Sequence, residues 1–203
     1  ASSTYPRGIK SGHHHIWKGK RFFEDSYDNL ALGKPVRTIA SDVGYKAAFV
    51  TDGDKSNASS WAYTSEEPKC LEIDLEKEVE MGGMVIYTGS AGGVFTAPDR
   101  IRSIRVESWD VSTWKPIPET VEKDSRYAQL FYTFEEPVKG SKIRIIIDDP
   151  GKVMIREVKI FGPNTLSCAP ESYDISGAQR TAEVVRLFAK GFKDERPLLK
   201  CDV

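Results

Sequence analysis

Between Leu30 and Gly162, apolar and polar residues alternate in short runs with a period of two. Leu71, Ile73 and Leu75 are separated by Glu72 and Asp74, the pattern of a strand with one face in a core. Ile104 and Val106 alternate with Arg105 and Glu107. Ile143, Ile145 and Ile147 alternate with Arg144, while Ile146 places an apolar group on the second face. Met84–Tyr87, Leu130–Phe134 and the pair Val158 and Ile160 add further strand candidates, rich in β-branched and aromatic side chains. Gly and Pro punctuate the intervals at Gly82-Gly83, Gly89 to Gly93, Pro116 to Pro118, Pro137 to Gly140 and Pro150-Gly151. Nowhere in this span do strands alternate with helices, which disfavours a parallel α/β sheet. Many short strands joined by turns predict an all-β antiparallel sandwich.

The periodicity changes after Gly162. Ser176 and Gln179 have the spacing of a capping box, and Ala178, Ala182, Val185 and Ala189 then recur at helical intervals. Val184 and Phe188 widen the stripe, and Gly191 is a natural stop. A helix over about 177–190 is predicted. Its alanine-rich apolar face suits docking on protein better than lying on a membrane. Residues 1–28 show no sustained period, although Trp17, Phe22 and Phe23 are too apolar for a wholly solvated arm. The predicted organisation is an N-terminal extension at 1–28, a β domain at 29–162 and a C-terminal extension at 163–203.

Composition narrows the function classes. The 203 residues carry 29 basic and 30 acidic side chains, a net charge of −1, without the basic excess of a non-specific nucleic-acid binder. No apolar run approaches the roughly 20 residues of a membrane-spanning helix. Ala1 begins a polar, Ser-rich segment with no apolar signal core, so a secretion signal is expected to be absent or already removed. Of the three cysteines, Cys168 and Cys201 flank the predicted helix, as a disulfide pair or as two buried thiols; a disulfide would imply an oxidising compartment. Cys70, within a strand pattern, reads as a small buried thiol. His13, His14 and His15 are the only imidazoles. Three adjacent side chains do not converge on one ion without a fixed backbone, so they read better as a solvated run or the remnant of a purification tag.

A series of phrases adds to this. Asn29-Leu30-Ala31-Leu32-Gly33-Lys34-Pro35-Val36, Thr51-Asp52-Gly53-Asp54, Trp61, Cys70-Leu71-Glu72-Ile73-Asp74-Leu75 and Ile155-Arg156-Glu157-Val158-Lys159-Ile160-Phe161-Gly162 follow one another in order. Together they resemble the coagulation factor 5/8 type C (discoidin) family, which includes the galactose-binding-like carbohydrate modules called CBM32. The resemblance implies a jelly-roll β-sandwich and a binding module. It also implies a structural calcium ion at the acidic turn, with Asp52 and Glu157 supplying carboxylate oxygens and Asp54, Asn57 and the backbone of Phe49 the rest. Hard oxygen donors and a glycine that folds carbonyls inward agree with calcium, and no soft ligands accompany them. Asn57-Ala58-Ser59 is at the same time an N-glycosylation acceptor pattern.

By the same resemblance a ligand would sit among the loops at one end of the sandwich, where Tyr45, Tyr63, Phe95, Asp99, Arg100 and Arg102 offer aromatic faces and hydrogen-bonding groups. Trp61 reads instead as a packing residue at a strand start. The chain departs from the family pattern in three places. Ala62 and Tyr63 follow Trp61 where galactose-binding relatives often carry histidine. Cys70 stands where many have an aromatic. Val111 occupies a turn position usually held by glycine, so that turn is expected to differ, because a β-branched residue tolerates positive φ poorly. Trp114 matches a core position of the family.

The leading expectation is a calcium-stabilised extracellular or secreted module that binds glycans without catalysis. A structural or assembly protein holding a partner protein is the alternative, favoured by the long flanks. Anionic-phospholipid binding is weaker, since Ser41-Asp42-Val43-Gly44-Tyr45-Lys46 offers only a short apolar spike. Catalysis is least expected: no Ser or Cys sits in a nucleophile context, and the ion site accounts for the paired acids.

Overall fold

The structure, a computed structural model, describes residues 28–91, 97, 99–125 and 127–163 with their side chains, and residues 14–17 and 20–23 as backbone strands. The predicted helix at 177–190, Cys168, Cys201 and Phe95 lie outside the described residues. The chain divides into two units, residues 27–167 and residues 1–26 with 168–203. In the latter, strands β1 (His14–Trp17) and β2 (Lys20–Phe23) pair as an antiparallel hairpin, which residue periodicity had not indicated.

The larger unit is an antiparallel jelly-roll sandwich. Its strands are β3 (Val36–Thr38), β4 (Trp61–Ser65), β5 (Lys69–Thr88), β6 (Ile104–Asp110), β7 (Thr113–Glu122), β8 (Gln129–Ile147) and β9 (Gly151–Phe161). A 3-10 helix, Ala47–Thr51, precedes β4. The hydrogen-bonded order is β4-β9-β5-β8-β6-β7, with β3 added to β5. Strands β5 and β8 are long because each runs through both halves of the sandwich. Their pairing shifts between Asp74 and Val79. There Glu76 takes φ 64°, its N–H bonded to Asp74 Oδ1 at 2.9 Å.

The alternation predicted for the first half of β5 is realised. Leu71 and Ile73 lie opposite Ile145 and Ile143, and all four are buried with Ile104, Val106 and Ile147. Each such side chain removed from water contributes about 1.5–3 kcal/mol before the entropy of ordering it is subtracted. The outward face carries charge: Arg144 Nη2 pairs with Glu107 Oε2 at 2.5 Å and Lys142 Nζ with Glu72 Oε1 at 3.2 Å. In β9 the alternation disappears. Val153 to Phe161 are all buried, including Arg156, Glu157 and Lys159. Part of the reason is the stretch before β3: Leu30 N–H bonds the Ile160 carbonyl at 2.8 Å, and Asn29 Oδ1 accepts from Ile160 N–H at 3.0 Å.

Three sequence expectations are corrected here. Cys70 is half-buried, because it lies on the outward face of β5 beside Ile146 of β8, opposite to the core-facing Leu71. Trp114 is not a core residue. It pairs with Trp109 across the β6–β7 hairpin, edge to face at 5.3 Å, and Arg144 stacks 4.5 Å from its ring. Val111 does adopt positive φ, 46°, in the two-residue turn between Asp110 and Thr113. The twist of a tight hairpin demands it, and the Lys115–Asp110 ion pair and the tryptophan pair brace the strands on either side.

Candidate functional site

The acidic turn follows the 3-10 helix. Gly53 takes φ 87°, and a Cβ there would lie 3.2 Å from Leu32 Cδ1, so glycine suits both the backbone and the space. Its N–H donates to Glu157 Oε2 at 3.1 Å, and Asn29 Nδ2 reaches Glu157 Oε1 at 3.4 Å. Glu157 is fully buried. Burial pushes its pKa up to about 8; the Gly53 hydrogen bond opposes this, Asp52 adds to it, and Lys159 and Lys55 oppose it. Asp52 Oδ1 accepts the Asp54 N–H at 2.8 Å, and Asp52 Oδ2 accepts the Ser59 hydroxyl.

Glu157 thus contacts the acidic turn at Gly53, and its charge feels Asp52 in the same turn. The other expected ligands are turned to different tasks. Asp54 accepts from Ser56 N–H at 2.8 Å and from Ser56 Oγ at 3.0 Å. Asn57 Oδ1 accepts from Ala91 N–H at 2.5 Å, and its carbonyl takes the Ser60 hydroxyl at 3.0 Å. Phe49 is half-buried in the 3-10 helix, its ring 5.5 Å from Lys46 Nζ. Among the described residues no group of three or more His, Cys, Asp or Glu is placed to hold a metal ion. The acidic turn presents the Asp52 carboxylate and the buried Glu157 carboxylate as hard oxygen donors. That is hard-ion chemistry.

The loops near the start of β9 bring a second set together. Lys152 lies opposite Thr64 of β4, and Tyr63 lies opposite Val153. Lys152 Nζ stands 4.8 Å from the centre of the Tyr45 ring and 3.3 Å from its hydroxyl. It is 4.0 Å from Asp99 Oδ2, which accepts the Ser90 hydroxyl at 3.4 Å. The Asp99 carbonyl takes Met154 N–H at 2.9 Å, tying this loop to β9. Tyr45 and Tyr63 are half-buried, and Val43, in the loop with Tyr45, is wholly exposed. Of the predicted ligand residues, Tyr45 and Asp99 thus meet around Lys152 at one end of the sandwich, whereas Tyr63, paired with the core residue Val153, packs against the hydrophobic core on the other face of the sheet.

Arg100 and Arg102 are used differently. Arg100 Nη1 bonds the Ala97 carbonyl at 3.2 Å, and its backbone packs under Gly89, where a Cβ would come within 2.9 Å of Arg100 N. Arg102 Nε lies 3.4 Å from Asp149 Oδ1, and Asp149 Oδ2 accepts the backbone N–H groups of Arg102 and Ser103 at 2.5 and 3.0 Å. Arg102 belongs to that anchor rather than to the Tyr45 cluster. Trp61 opens β4 fully buried, with Nε1–H donating to the Ala40 carbonyl at 3.1 Å, the packing role expected of it.

Two residues were missed. Arg156 is buried and joins the two loop systems: Nε–H donates to the Gly89 carbonyl and Nη1–H to the Lys55 carbonyl, each at 2.7 Å. Its place directly before Glu157 was the available signal. Lys152 follows Pro150-Gly151 at a strand start, and only the pairing of β4 with β9 brings it to Tyr45.

The fold is that of the galactose-binding-like sandwich modules. Residues 36–158 match the model of the F5/8 type C domain, and the chain belongs to that family. No curated protein matches it by sequence. Among solved structures it is similar to a Streptococcus pneumoniae fucose binding module, SpX-3, at 20% identity and TM-score 0.54, covering 66% of this chain and 97% of that one. The lectin domain of lectinolysin complexed with Lewis B antigen aligns at 17% identity and TM-score 0.55, over 66% of this chain and 96% of that one. SpGH29 aligns at 20% identity and TM-score 0.56 over 66% of this chain, which spans only 28% of that protein.

Proposed function

We propose that this chain is a non-catalytic glycan-recognition domain that works outside the cell, with its ligand held at the loop end around Tyr45, Lys152 and Asp99. The observation that carries this reading is the gathering of a half-buried tyrosine, a carboxylate and an ammonium at one end of the sandwich. Aromatic rings with a few convergent polar groups are what a pyranose requires, an apolar face to stack on and partners for its hydroxyls. Support comes from relatives of the same fold that include a fucose binding module and a lectin domain.

A structural calcium ion belongs to the same proposal. Asp52 and Glu157 would supply carboxylate oxygens. Phe49 and Asp54 would contribute backbone carbonyls, because the Asp54 side chain is occupied by Ser56. Bound there, the ion supplies positive charge to a buried carboxylate and stiffens the turn; the chain's own residues make the ligand contacts.

A glycan array on the full chain, with calcium and then with chelator, tests the reading. Glycan signals that weaken in chelator are expected. Absence of binding to every glycan in both conditions would overturn it.

A further inference from the structure

Lys152 changes what the loop end is suited to hold. Its ammonium lies over the Tyr45 ring at 4.8 Å and gives one hydrogen bond, to the Tyr45 hydroxyl at 3.3 Å. The stack occupies one face of the ring, so Tyr45 is less a bare platform for sugar than a mount that fixes a cation. Asp99 pairs with that charge only at the outer limit of an ion pair, 4.0 Å and beyond hydrogen-bonding reach, and its Oδ2 also accepts the Ser90 hydroxyl, so it takes no donor from the ammonium. An ammonium has three donors, and among the described residues only one of those on Lys152 is used. The side chain is 40% exposed, open to a ligand arriving from solvent.

Resting on the glycan reading above, we infer that the site selects acidic sugars and that Lys152, fixed over Tyr45, receives the sugar carboxylate. A neutral hydroxymethyl group at the same place gains one ordinary hydrogen bond. A carboxylate gains a charge-assisted one, from ammonium donors of Lys152 that are otherwise left to water.

The test is a set of matched pairs titrated into the full chain: galactose against galacturonate, glucose against glucuronate, and lactose against sialyl-lactose. A preference of about two- to fivefold for the acidic member of at least one pair is expected, consistent with a partly exposed ion pair. That preference should shrink at high salt, collapse toward unity in Lys152→Gln and persist in part in Lys152→Arg. Equal binding within every pair, or a preference that survives Lys152→Gln, overturns the inference and leaves glycan recognition standing. A chain that binds other glycans but none of these acids also overturns the inference alone, whereas a chain that binds no glycan at all overturns both.

Discussion

Arg156 donates Nε–H to the Gly89 carbonyl at 2.7 Å, and the same guanidinium reaches the Lys55 carbonyl at 2.7 Å. One buried side chain thereby ties the loop after the acidic turn to the loop after β5. Burial alone lowers its pKa, and the neighbouring Tyr87 counters this. Arg156→Met removes both donors and leaves the Gly89 carbonyl buried. A loss of about 2–4 kcal/mol in urea denaturation is expected. Arg156→Lys, which cannot span both carbonyls, should recover less than half of it.

Glu157 makes stability depend on pH in an unusual direction. Its folded pKa, about 8, stands above the ordinary 4.5, so the folded state holds a proton that the unfolded state has released. The resulting penalty is absent below about pH 4.5 and grows until pH passes 8. In chelator, the melting temperature should therefore fall between pH 5 and pH 8.5. Millimolar calcium should flatten that fall, because a cation favours the carboxylate. Glu157→Gln should flatten it without calcium and lose the response to calcium. A pH-independent melting temperature in chelator would count against this account.

Lys69 is 2% exposed, and its ammonium bonds the Ser65 and Asp149 carbonyls at 2.7 and 2.6 Å. Desolvation lowers its pKa, and Asp149 and then Glu66 oppose the shift. Lys69→Met strands these carbonyls and should cost about 2–4 kcal/mol by chemical denaturation.

Val111 offers the opposite sign. At φ 46° its β-branched side chain is strained, and at 81% exposed it packs on little. Val111→Asn, which accepts the left-handed region more readily, should stabilise the domain by about 1 kcal/mol in the same assay.

These cases show what the residues alone could and could not tell. The alternation of Leu71 and Ile73 with Glu72, and of Ile143 and Ile145 with Arg144, predicted the first half of the sandwich because one face there is polar. In β9 only the pair Val158 and Ile160 hinted at a strand, because the segment is buried on both faces. The contact of Glu157 with the acidic turn at Gly53 was legible only through family phrases, since 104 residues separate the donor from its acceptor. Lys152 escaped notice because its partner Tyr45 lies 107 residues away, and nothing local marks a lysine as held over an aromatic ring. Val111 was misread because local strain was weighed without the hairpin twist that outweighs it.

The central claim is that glycans bind at the loop end of the sandwich. The most direct measurement compares the wild-type chain with Tyr45→Ala/Lys152→Ala on one glycan array, with circular dichroism confirming that both are folded. Glycan signals present in the wild type and lost in the double variant are predicted. Binding that persists undiminished in the variant, or a wild-type chain that captures no glycan, would contradict the account.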